Sequence, residues 1–278
     1  MVVAASRLTA AHLAAGDRLR FVQHQGVGWQ DTVAWQEVAA RGIPLATTPQ
    51  GTTVPVAEMA LLMTLAALRR LPHADAELRR GAWHVNALRP VSRNLAGRVV
   101  GYVGFGRIGQ ATAARFAAFD TTGLYFDPIT RLSAEDATRL RVRRAETLQT
   151  LLAEAEIVSL HLPLTLQTQH ILDAAAIRCM RPGSVLVNTA RGGLVDEAAL
   201  AAALRDGHLL AAALDVFEEE PPSPGHPLLA LPNVVLTPHI SAGTRDAFEE
   251  KLSAAFGNVA DFFAGRPARN LVALPALA

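Results

Sequence analysis

The feature that most constrains the fold of this chain is a glycine-rich turn between an apolar strand and a helix. Gly104-Phe105-Gly106-Arg107-Ile108-Gly109 fits the pattern G-x-G-x-x-G. It follows a strand-like segment that ends at Val103, opens an alanine-rich helix that runs to about Phe119, and precedes a second strand-like segment that ends at Asp127. Strand, turn, helix, strand and an acid roughly 20 residues further on form the fingerprint of a dinucleotide-binding βαβ unit.

Each glycine of this turn has a separate physical role. Gly104 permits the tight turn, Gly106 lets the backbone approach a pyrophosphate, and Gly109 lets the helix pack closely against the strand. The helix begins at Arg107 and Ile108, where unpaired backbone N–H groups and the positive end of the helix dipole attract phosphates. We therefore predict that these five residues bind the cofactor.

Asp127, at the end of the second strand, predicts which dinucleotide is bound. Its carboxylate can accept hydrogen bonds from the adenosine ribose hydroxyls, and its charge repels a 2′-phosphate. This favours NAD over NADP, although Arg131 is close enough in sequence to weaken the preference. The alternative interpretation is a glycine-rich turn followed by a surface aspartate, and the complete order of elements disfavours it.

Near-continuous apolar strands separated by alanine-rich helical stretches predict a doubly wound α/β fold with a parallel sheet, because such strands are buried on both faces. A helix is expected over residues 32–41. Polar, proline-containing stretches at residues 86–97 and 238–243 interrupt the pattern. We predict one domain over residues 53–239 and a second, smaller domain built from residues 1–52 and 240–278. The predicted strands cover residues 2–5, 19–24, 43–46, 98–103, 122–126, 156–160, 184–188, 210–216 and 234–237.

Two single residues exclude whole classes of chemistry. Lys251 is the only lysine, and its surroundings, E-E-K-L-S, match neither a Schiff-base site nor the phosphate loop G-x-x-x-x-G-K-[ST]. Cys179 is the only cysteine, which excludes an internal disulfide, a cysteine-rich zinc site and an iron–sulfur cluster, and we predict no metal site. The formal net charge of +1 gives no electrostatic reason to expect a nucleic acid or an anionic membrane as partner.

The longest apolar stretch, residues 54–68, contains Pro55 and Glu58 and is shorter than a membrane span. Its apolar residues occur all round the predicted helix, so we expect it to be buried in the core or in a subunit interface. The N-terminus does not look like a signal peptide. The expected location of the protein is therefore the cytoplasm.

Three later strands are each followed by ionisable residues at the carboxyl end, where ligands bind in a doubly wound sheet. These residues are Arg191, the run Glu218 to Glu220, and His239. Each alone could be an ordinary surface residue. Together they supply what hydride transfer to a carbonyl requires: a cation that holds the substrate, an imidazolium that donates a proton, and a carboxylate that orients the imidazole.

The motifs N-T-A-R-G-G-L-V-D-E at residues 188–197, D-V-F-E-E-E-P at 215–221 and T-P-H at 237–239 join the glycine turn in a recognisable set. Together they resemble the D-isomer-specific 2-hydroxyacid dehydrogenase family over nearly the whole chain. The resemblance implies a Rossmann domain with a second, truncated flavodoxin-like α/β substrate domain built from both chain ends. Mapped by motif, it makes Arg191 the catalytic arginine, Glu220 the catalytic glutamate and His239 the catalytic histidine.

The resemblance also implies how the ligands bind. The substrate carboxylate would bind to the backbone N–H groups of Val27 and Gly28 and to Arg191. The helix at residues 54–68 would lie in a homodimer interface. The expected reaction is the NAD-dependent interconversion of a 2-oxo acid and a D-2-hydroxy acid. The adenine and nicotinamide pockets would be lined by His161, Pro163, Thr168, Thr189, Ala190 and Asp215.

Two features depart from the family pattern. The smaller domain begins later than is usual, and T-P-Q-G-T-T at residues 48–53 replaces the N-x-P-G-x-N of many members. Two alternatives to an active dehydrogenase therefore stay open. One is an NAD-sensing dimeric interaction protein, like the corepressor relatives of the family, and the other is an inactive paralogue that still binds NAD.

Overall fold

Buried apolar strands form two parallel sheets in the computed structural model, which describes residues 1–3 and 6–275. The strands of this part of the chain are β1 (Val2–Val3), β2 (Val22–His24), β3 (Leu45–Ala46), β4 (Val99–Val103), β5 (Thr122–Phe126), β6 (Val142–Arg144), β7 (Ile157–Leu160), β8 (Ser184–Asn188), β9 (Leu209–Leu214) and β10 (Val234–Leu236). The helices are α1 (Ala10–Ala15), α2 (Trp35–Ala40), α3 (Thr53–Arg69), α4 (Leu71–Arg79), α5 (Arg107–Ala117), α6 (Ala134–Arg139), α7 (Leu148–Glu154), α8 (Ala174–Cys179), α9 (Glu197–Arg205) and α10 (Arg245–Phe263).

The larger sheet has the strand order β10-β9-β8-β7-β4-β5-β6, and every neighbouring pair is parallel. The direction of winding reverses between β4 and β7, because β5 and β6 extend the sheet on one side and β7 to β10 extend it on the other. In such sheets ligands bind outside the carboxyl ends of the strands near this reversal. The predicted α/β class with a doubly wound parallel sheet is confirmed.

An aromatic cluster in the core of this sheet anchors the glycine turn. Phe105, which stands between the first two glycines, is fully buried and stacks on Tyr125 with ring centroids 4.4 Å apart. Tyr102 and Phe116 are also buried and meet edge to face at 6.2 Å. Full burial of a large apolar side chain stabilises the folded state by about 1.5–3 kcal/mol. The turn is therefore anchored to the core by the side chain of Phe105, one of its own residues.

The smaller sheet has the order β1-β2-β3 and is also parallel. Helices α1, α2 and α10 belong to the same compact unit as this sheet. Its core contains Leu13, Val22, Val38 and Leu45, all buried. The C-terminal helix α10 belongs to this core through Phe262, whose ring stacks on Phe21 with centroids 4.5 Å apart. Both ends of the chain therefore build the smaller unit.

A buried polar network also ties α10 to the small sheet. The side chain of Gln23 donates to Thr48 Oγ1 at 2.8 Å and accepts from Asn258 Nδ2 at 2.7 Å. Asn258 Oδ1 in turn accepts from the backbone N–H of Arg269 at 2.7 Å. Gln23 and Asn258 are 1% and 5% exposed, so each of these hydrogen bonds replaces water that the groups have lost.

The chain divides into two compact units. One consists of Met1–Pro55, Pro163–Thr165 and Ala242–Ala278, and the other of Val56–Leu162 and Leu166–Ser241. The sequence-based division placed its boundaries at residues 52/53 and 239/240 and did not include the short segment at 163–165. The assignment of a substrate role to the first unit and a cofactor role to the second stays a prediction.

Several elements differ from the sequence-based expectation. The helix expected over residues 32–41 begins only at Trp35, because Val33 pairs with Leu8 in a parallel bridge and cannot join the helix. The strand β6 was not predicted, because its sequence V-R-R is short and mostly charged, as befits an edge strand. The strand expected at residues 2–5 is observed at Val2–Val3, and residues 4–5 lie outside the described part of the chain.

The apolar helix predicted at residues 54–68 is α3, and it is not buried all round. Ala57, Ala60 and Met63 lie in the core, whereas Val54 and Leu62 on the opposite face are 52% and 55% exposed. Burial of the whole helix in the core of one chain was therefore wrong, and the subunit-interface alternative stays a prediction. Among the described residues, the structure contains no helix that is both long enough and apolar enough to span a membrane.

The buried network predicts the effect of removing its central amide. Asn258→Ala leaves Gln23 Oε1 and the backbone N–H of Arg269 without partners. Each buried polar group without a partner lowers the free energy of unfolding by about 1–3 kcal/mol. We expect urea unfolding, followed through Trp29 and Trp35 of the smaller unit, to show a loss of stability of that size. The control is Asn86→Ala, since Asn86 is exposed. An equal loss in both variants would contradict the role of the network.

Candidate active site

The glycine turn has the shape that a phosphate-bearing ligand needs. Gly104 adopts a φ of +84°, and a Cβ placed on it would lie 2.5 Å from the carbonyl oxygen of His161. A Cβ on Gly109 would lie 2.7 Å from the carbonyl oxygen of Gly104, so this position also requires glycine. Gly106 is exposed and has no atom within 4 Å of its missing Cβ. It also stands at the N-cap of α5, where no side chain accepts from the first N–H groups. Those donors are available to an anion.

Asp127 is fixed beside the turn by backbone hydrogen bonds. Its Oδ2 accepts from the N–H of Phe105 at 2.7 Å, and its Oδ1 accepts from the N–H groups of Ile129 and Thr130 at 2.8 Å each. Burial raises the pKa of this carboxyl, but these hydrogen bonds outweigh burial and hold the pKa below its ordinary value. Asp127 is therefore a charged acceptor next to the uncapped helix start. The turn and this acid fit an anionic dinucleotide.

Arg131 lies in the loop that follows Asp127. Its Nη1 donates to three backbone carbonyls of that loop, those of Asp127, Pro128 and Thr130, at 3.3, 3.2 and 2.9 Å. The guanidinium is thus held near the strand end without neutralising the Asp127 carboxylate, whose oxygens bind N–H groups of the backbone.

The three ionisable groups predicted at the strand ends come from loops after β8, β9 and β10. Arg191 precedes the 3-10 helix Gly192–Leu194, and its Nη1 donates to the carbonyl of Ala190 at 2.8 Å. The side chain of Asn188 shapes this loop, because its Nδ2 donates to the carbonyl of Arg191 at 2.8 Å and its Oδ1 accepts from the N–H of Ala190 at 3.0 Å.

Glu220 and His239 form a direct pair. His239 Nδ1 and Glu220 Oε2 are 2.8 Å apart, and Glu220 Oε1 accepts from the N–H of Phe217 at 3.1 Å. The hydrogen bond to Glu220 is the main cause that raises the pKa of His239, while burial and the charge of Arg191 oppose it. Burial raises the pKa of Glu220, and the hydrogen bonds from His239 and Phe217 lower it further than burial raises it. The charge of Arg191 lowers the pKa of both groups, so its guanidinium is near enough to act on each of them.

The pairing through Nδ1 decides which ring nitrogen can react. Nε2 of His239 has no hydrogen-bond partner within residues 1–3 and 6–275, and the side chain is 48% exposed. A proton on Nε2 can therefore pass to or from a bound molecule, while the carboxylate stabilises the imidazolium through the other nitrogen.

Asp215 holds His239 in position. Its carboxylate is fully buried and accepts from Thr237 Oγ1 at 2.5 Å and from the N–H groups of Ile240 and Ser241 at 2.9 and 2.8 Å. Its carbonyl accepts from the N–H of His239 at 2.8 Å. These bonds keep His239 at a φ of +53°, a left-handed conformation that costs about 1–2 kcal/mol in a residue other than glycine. The predicted cofactor contact of Asp215 stays a prediction beside this observed role.

The other predicted cofactor residues lie in several places. His161 follows β7 and stacks on Tyr102 with ring centroids 6.2 Å apart, and burial lowers the pKa of its imidazole to about 3, so that the ring is neutral. His161 Nδ1 and the buried Thr189 Oγ1 have no hydrogen-bond partner within the described residues. Thr168 is half-buried in the larger unit, and Pro163 is exposed and belongs to the smaller unit. Their contacts with a cofactor stay predictions.

The loop at residues 25–28, which contains the predicted substrate-binding residues Val27 and Gly28, lies in the smaller unit. Gly26 donates its N–H to His24 Nδ1 at 3.0 Å, and its carbonyl accepts from the N–H of Thr48 at 3.1 Å. Val27, next in the chain, is 38% exposed. Its N–H has no hydrogen-bond acceptor in the part of the chain that the structure describes. The loop is thus braced at Gly26 and Thr48, and the Val27 donor remains available.

Sequence reasoning assigned no role to three residues that shape the loop before Glu220. Gly192 packs so tightly against this loop that a Cβ on it would lie 1.8 Å from the carbonyl carbon of Phe217. Glu197 and His226 form a largely buried pair at 2.9 Å. The available signals were the first glycine of G-G in the motif at residues 188–197 and the acid that ends this motif. Neither signal indicates a partner, because the partners are about 20 or more residues away.

Comparison with known proteins reveals clear relatives. Residues 61–241 match the family model described as D-isomer specific 2-hydroxyacid dehydrogenase, NAD binding domain. The chain is 37% identical over 272 residues to D-3-phosphoglycerate dehydrogenase of Archaeoglobus fulgidus, covering 98% of this chain but 50% of that protein. It is 39% identical over 249 residues to hydroxypyruvate reductase of Thermotoga maritima, covering 89% and 78%.

Among solved structures, D-lactate dehydrogenase from Aquifex aeolicus, complexed with NAD and lactic acid, has a TM-score of 0.87 and 28% sequence identity. The similarity covers 99% of this chain and 87% of that one. The chain thus spans about half the length of the phosphoglycerate dehydrogenase and most of the length of the two shorter relatives.

The pair at 2.8 Å predicts a measurable titration. Glu220→Gln removes the charge that raises the pKa of His239, so this pKa should fall towards or below its ordinary value. NMR titration of the His239 imidazole measures the change. Glu219→Gln is the matched control, because Glu219 is exposed and next to Glu220, and the substitution removes the same charge. An unchanged His239 titration in Glu220→Gln would show that the pair does not form in solution.

Proposed function

Because the chain belongs to the D-isomer specific 2-hydroxyacid dehydrogenase family, we propose that it interconverts a 2-oxo acid and a D-2-hydroxy acid with NAD as cofactor. The single observation that supports this most is the His239–Glu220 pair beside Arg191 at the carboxyl edge of the larger sheet. The same edge holds the glycine turn, since both follow carboxyl ends of parallel strands.

The proposed cofactor-binding residues act through backbone donors and one charge. The uncapped N–H groups at Arg107 and Ile108 and the open space at Gly106 would receive the pyrophosphate. Asp127 would accept from the ribose hydroxyls, and its charge favours NAD over NADP. We retain the predicted contacts of His161 and Thr189 with the cofactor. Bound NAD would supply or accept the hydride at C2 of the substrate.

The substrate would be held by a cation and by backbone donors. We assign Arg191 the binding of the substrate's carboxylate and the polarisation of its C2 carbonyl. We assign the backbone N–H groups of Val27 and Gly28 to the same carboxylate. A guanidinium offers several donors in a fixed plane, which suits a carboxylate and a neighbouring carbonyl oxygen.

His239 would exchange the proton of the reaction. During reduction, Nε2 would give its proton to the carbonyl oxygen, so that the new hydroxyl group of the product is neutral. During oxidation, the neutral imidazole takes the proton back from the hydroxyl group. Because Glu220 raises the pKa of His239, the imidazolium persists to higher pH than an isolated histidine allows. Reduction should therefore lose activity on the alkaline side, as pH rises through this raised pKa.

A homodimer would cover apolar surface that a single chain leaves exposed. In the larger unit, Leu62 on α3, Leu71 and Leu78 on α4, and Trp83 are 55%, 54%, 54% and 76% exposed. Apolar surface of this kind marks protein–protein contacts. We propose that a second copy of the chain covers it, and we retain the predicted cytoplasmic location.

The proposed reaction predicts turnover that depends on His239. NADH absorbance should fall with at least one of glyoxylate, hydroxypyruvate, pyruvate or a bulky 2-oxo acid. His239→Gln should lower kcat by about 10²- to 10⁴-fold, the usual contribution of a positioned acid. His208→Gln is the control, because His208 lies at the amino end of β9, whereas the loop with Glu220 follows the carboxyl end of this strand.

Two outcomes of this experiment would overturn the proposal. Full activity of His239→Gln would remove the assigned role of the imidazole. Binding of NAD without turnover of any of the four 2-oxo acids would favour an NAD-sensing protein or an inactive paralogue.

The glycine turn predicts a separation of cofactor binding from stability. A methyl group at Gly106 meets no atom of the chain within 4 Å, but it would occupy the space of the approaching pyrophosphate. Gly106→Ala should raise the Kd for NAD about tenfold or more, equal to about 1.4 kcal/mol. Calorimetric titration measures the Kd, and thermal unfolding without NAD should change little. Gly257→Ala is the control, since that position is equally open and lies on α10. Unaltered NAD binding by Gly106→Ala would contradict the assigned site.

A further inference from the structure

A buried carboxylate lies behind the loop that holds Glu220. Glu197 is the first residue of α9, yet it does not cap that helix, because Asp196 accepts from the N–H of Ala199 and fills that role. Glu197 is 9% exposed. A buried charge is costly unless it is paired and hydrogen-bonded, so the position of this side chain requires an explanation.

Both oxygens of Glu197 are used, each by a different segment. Oε1 accepts from the backbone N–H of Glu218 at 3.0 Å, and Oε2 lies 2.9 Å from Nε2 of His226. Nδ1 of His226 accepts from the N–H of Leu228 at 3.4 Å, which assigns the hydrogen to Nε2. The imidazole therefore donates to Glu197. The carboxylate connects the loop after β9 with the segment that enters the 3-10 helix Pro227–Ala230.

Residues 217–220, the last part of the loop between β9 and Pro221, are held from two sides and are called the 217–220 loop below. Gly192 lies against the backbone of Phe217, where a Cβ would come within 1.8 Å of its carbonyl carbon. Glu197 binds the next N–H, that of Glu218. The ring of His226 also meets Phe217 edge to face, with centroids 6.1 Å apart. Two residues beyond Glu218, Glu220 reaches His239.

We propose that Glu197 and His226 are positioning residues, which hold the 217–220 loop so that the Glu220 carboxylate reaches Nδ1 of His239. They touch neither of the proposed ligands and act through Glu220 alone. The kinetic part of this inference rests on the proposed function, whereas the contact between Glu220 and His239 can be tested without any turnover.

The alternative is that the pair serves only to stabilise the fold. The chain contains a matched example of such a pair at the amino ends of strands β4 and β7. Glu156 accepts from the N–H of Val99 at 3.1 Å and from Arg98 Nη1 at 2.5 Å, so it too joins one backbone donor and one side-chain donor. Glu156→Gln is therefore the control: it removes similar chemistry at a place that does not touch the 217–220 loop.

The first experiment measures the titration of His239 by NMR in four proteins. Glu197→Gln loses one of two acceptor oxygens, so the loop should shift and the pKa of His239 should fall, though less than in Glu220→Gln. In the double variant Glu197→Gln, Glu220→Gln the pKa should fall no further than in Glu220→Gln alone, because Glu197 acts only through Glu220. Glu156→Gln should leave the titration unchanged.

The second experiment tests rescue at His226. His226→Ala should reproduce the effect of Glu197→Gln on the titration of His239. His226→Gln should restore most of it, because the Gln side chain retains an N–H donor that can reach Glu197. If the alanine variant fails to fold, the comparison of His226→Gln with Glu197→Gln still separates the two cases.

The kinetic readout separates positioning from substrate binding. Glu197→Gln should lower kcat for reduction about tenfold, leave KM and the Kd for NAD unchanged, and move the alkaline limb of the pH profile to lower pH. Additive falls in the double variant, or a His239 titration like that of Glu156→Gln, would overturn the inference. Failure of the native protein to reduce any 2-oxo acid would instead count against the proposed function, and the NMR result would still decide the positioning role.

Discussion

The buried carboxylate of Asp215 is the interaction on which the candidate site depends most. The carboxylate oxygens accept from Thr237, Ile240 and Ser241. The backbone carbonyl of Asp215 accepts from the N–H of His239, and its backbone N–H donates to the carbonyl of Asn188. One residue thus connects the ends of β8, β9 and β10. Hydrogen bonds to a charged group each contribute about 1.5–3 kcal/mol, and the charge would be costly without them. The loops can therefore adopt few other arrangements.

The rest of the site uses the same device on a smaller scale. Asp127 binds the N–H groups of the glycine turn and of its own loop, Glu197 binds the loop before Glu220, and Asn188 shapes the loop of Arg191. In each case a side chain accepts from a loop N–H group that no regular element uses. Rigid strands thereby hold irregular loops in place. Such support gives a reacting group a defined position without a large binding surface.

Features that are local along the chain could be predicted from the sequence. The glycine turn, the strand before it and the acid after β5 follow one another directly, so their spacing is a reliable signal. The parallel sheet could be predicted from the apolar strands, because each apolar run is also a local feature of the sequence. The edge strand β6 was missed because its sequence V-R-R has no apolar alternation, and the exposed face of α3 was missed because an apolar helix does not reveal which side lacks a partner. The Glu197–His226 pair was missed because nothing near either residue in the sequence indicates the other.

The run of three adjacent glutamates shows where prediction from the sequence ends. The sequence alone determined that carboxylates follow β9, because parallel strands end in loops at one edge and the run E-E-E stands there. The motif resemblance singled out Glu220, but only the tertiary structure decided which partner each carboxylate meets. Glu218 lies 2.9 Å from His170, Glu220 lies 2.8 Å from His239, and Glu219 has no hydrogen-bond partner within the described residues. The physical reason is that three identical side chains differ only in direction, and direction depends on how the loop backbone is held. Gly192 packs against the backbone of Phe217, Glu197 accepts from the N–H of Glu218, and the N–H of Phe217 binds the carboxylate of Glu220.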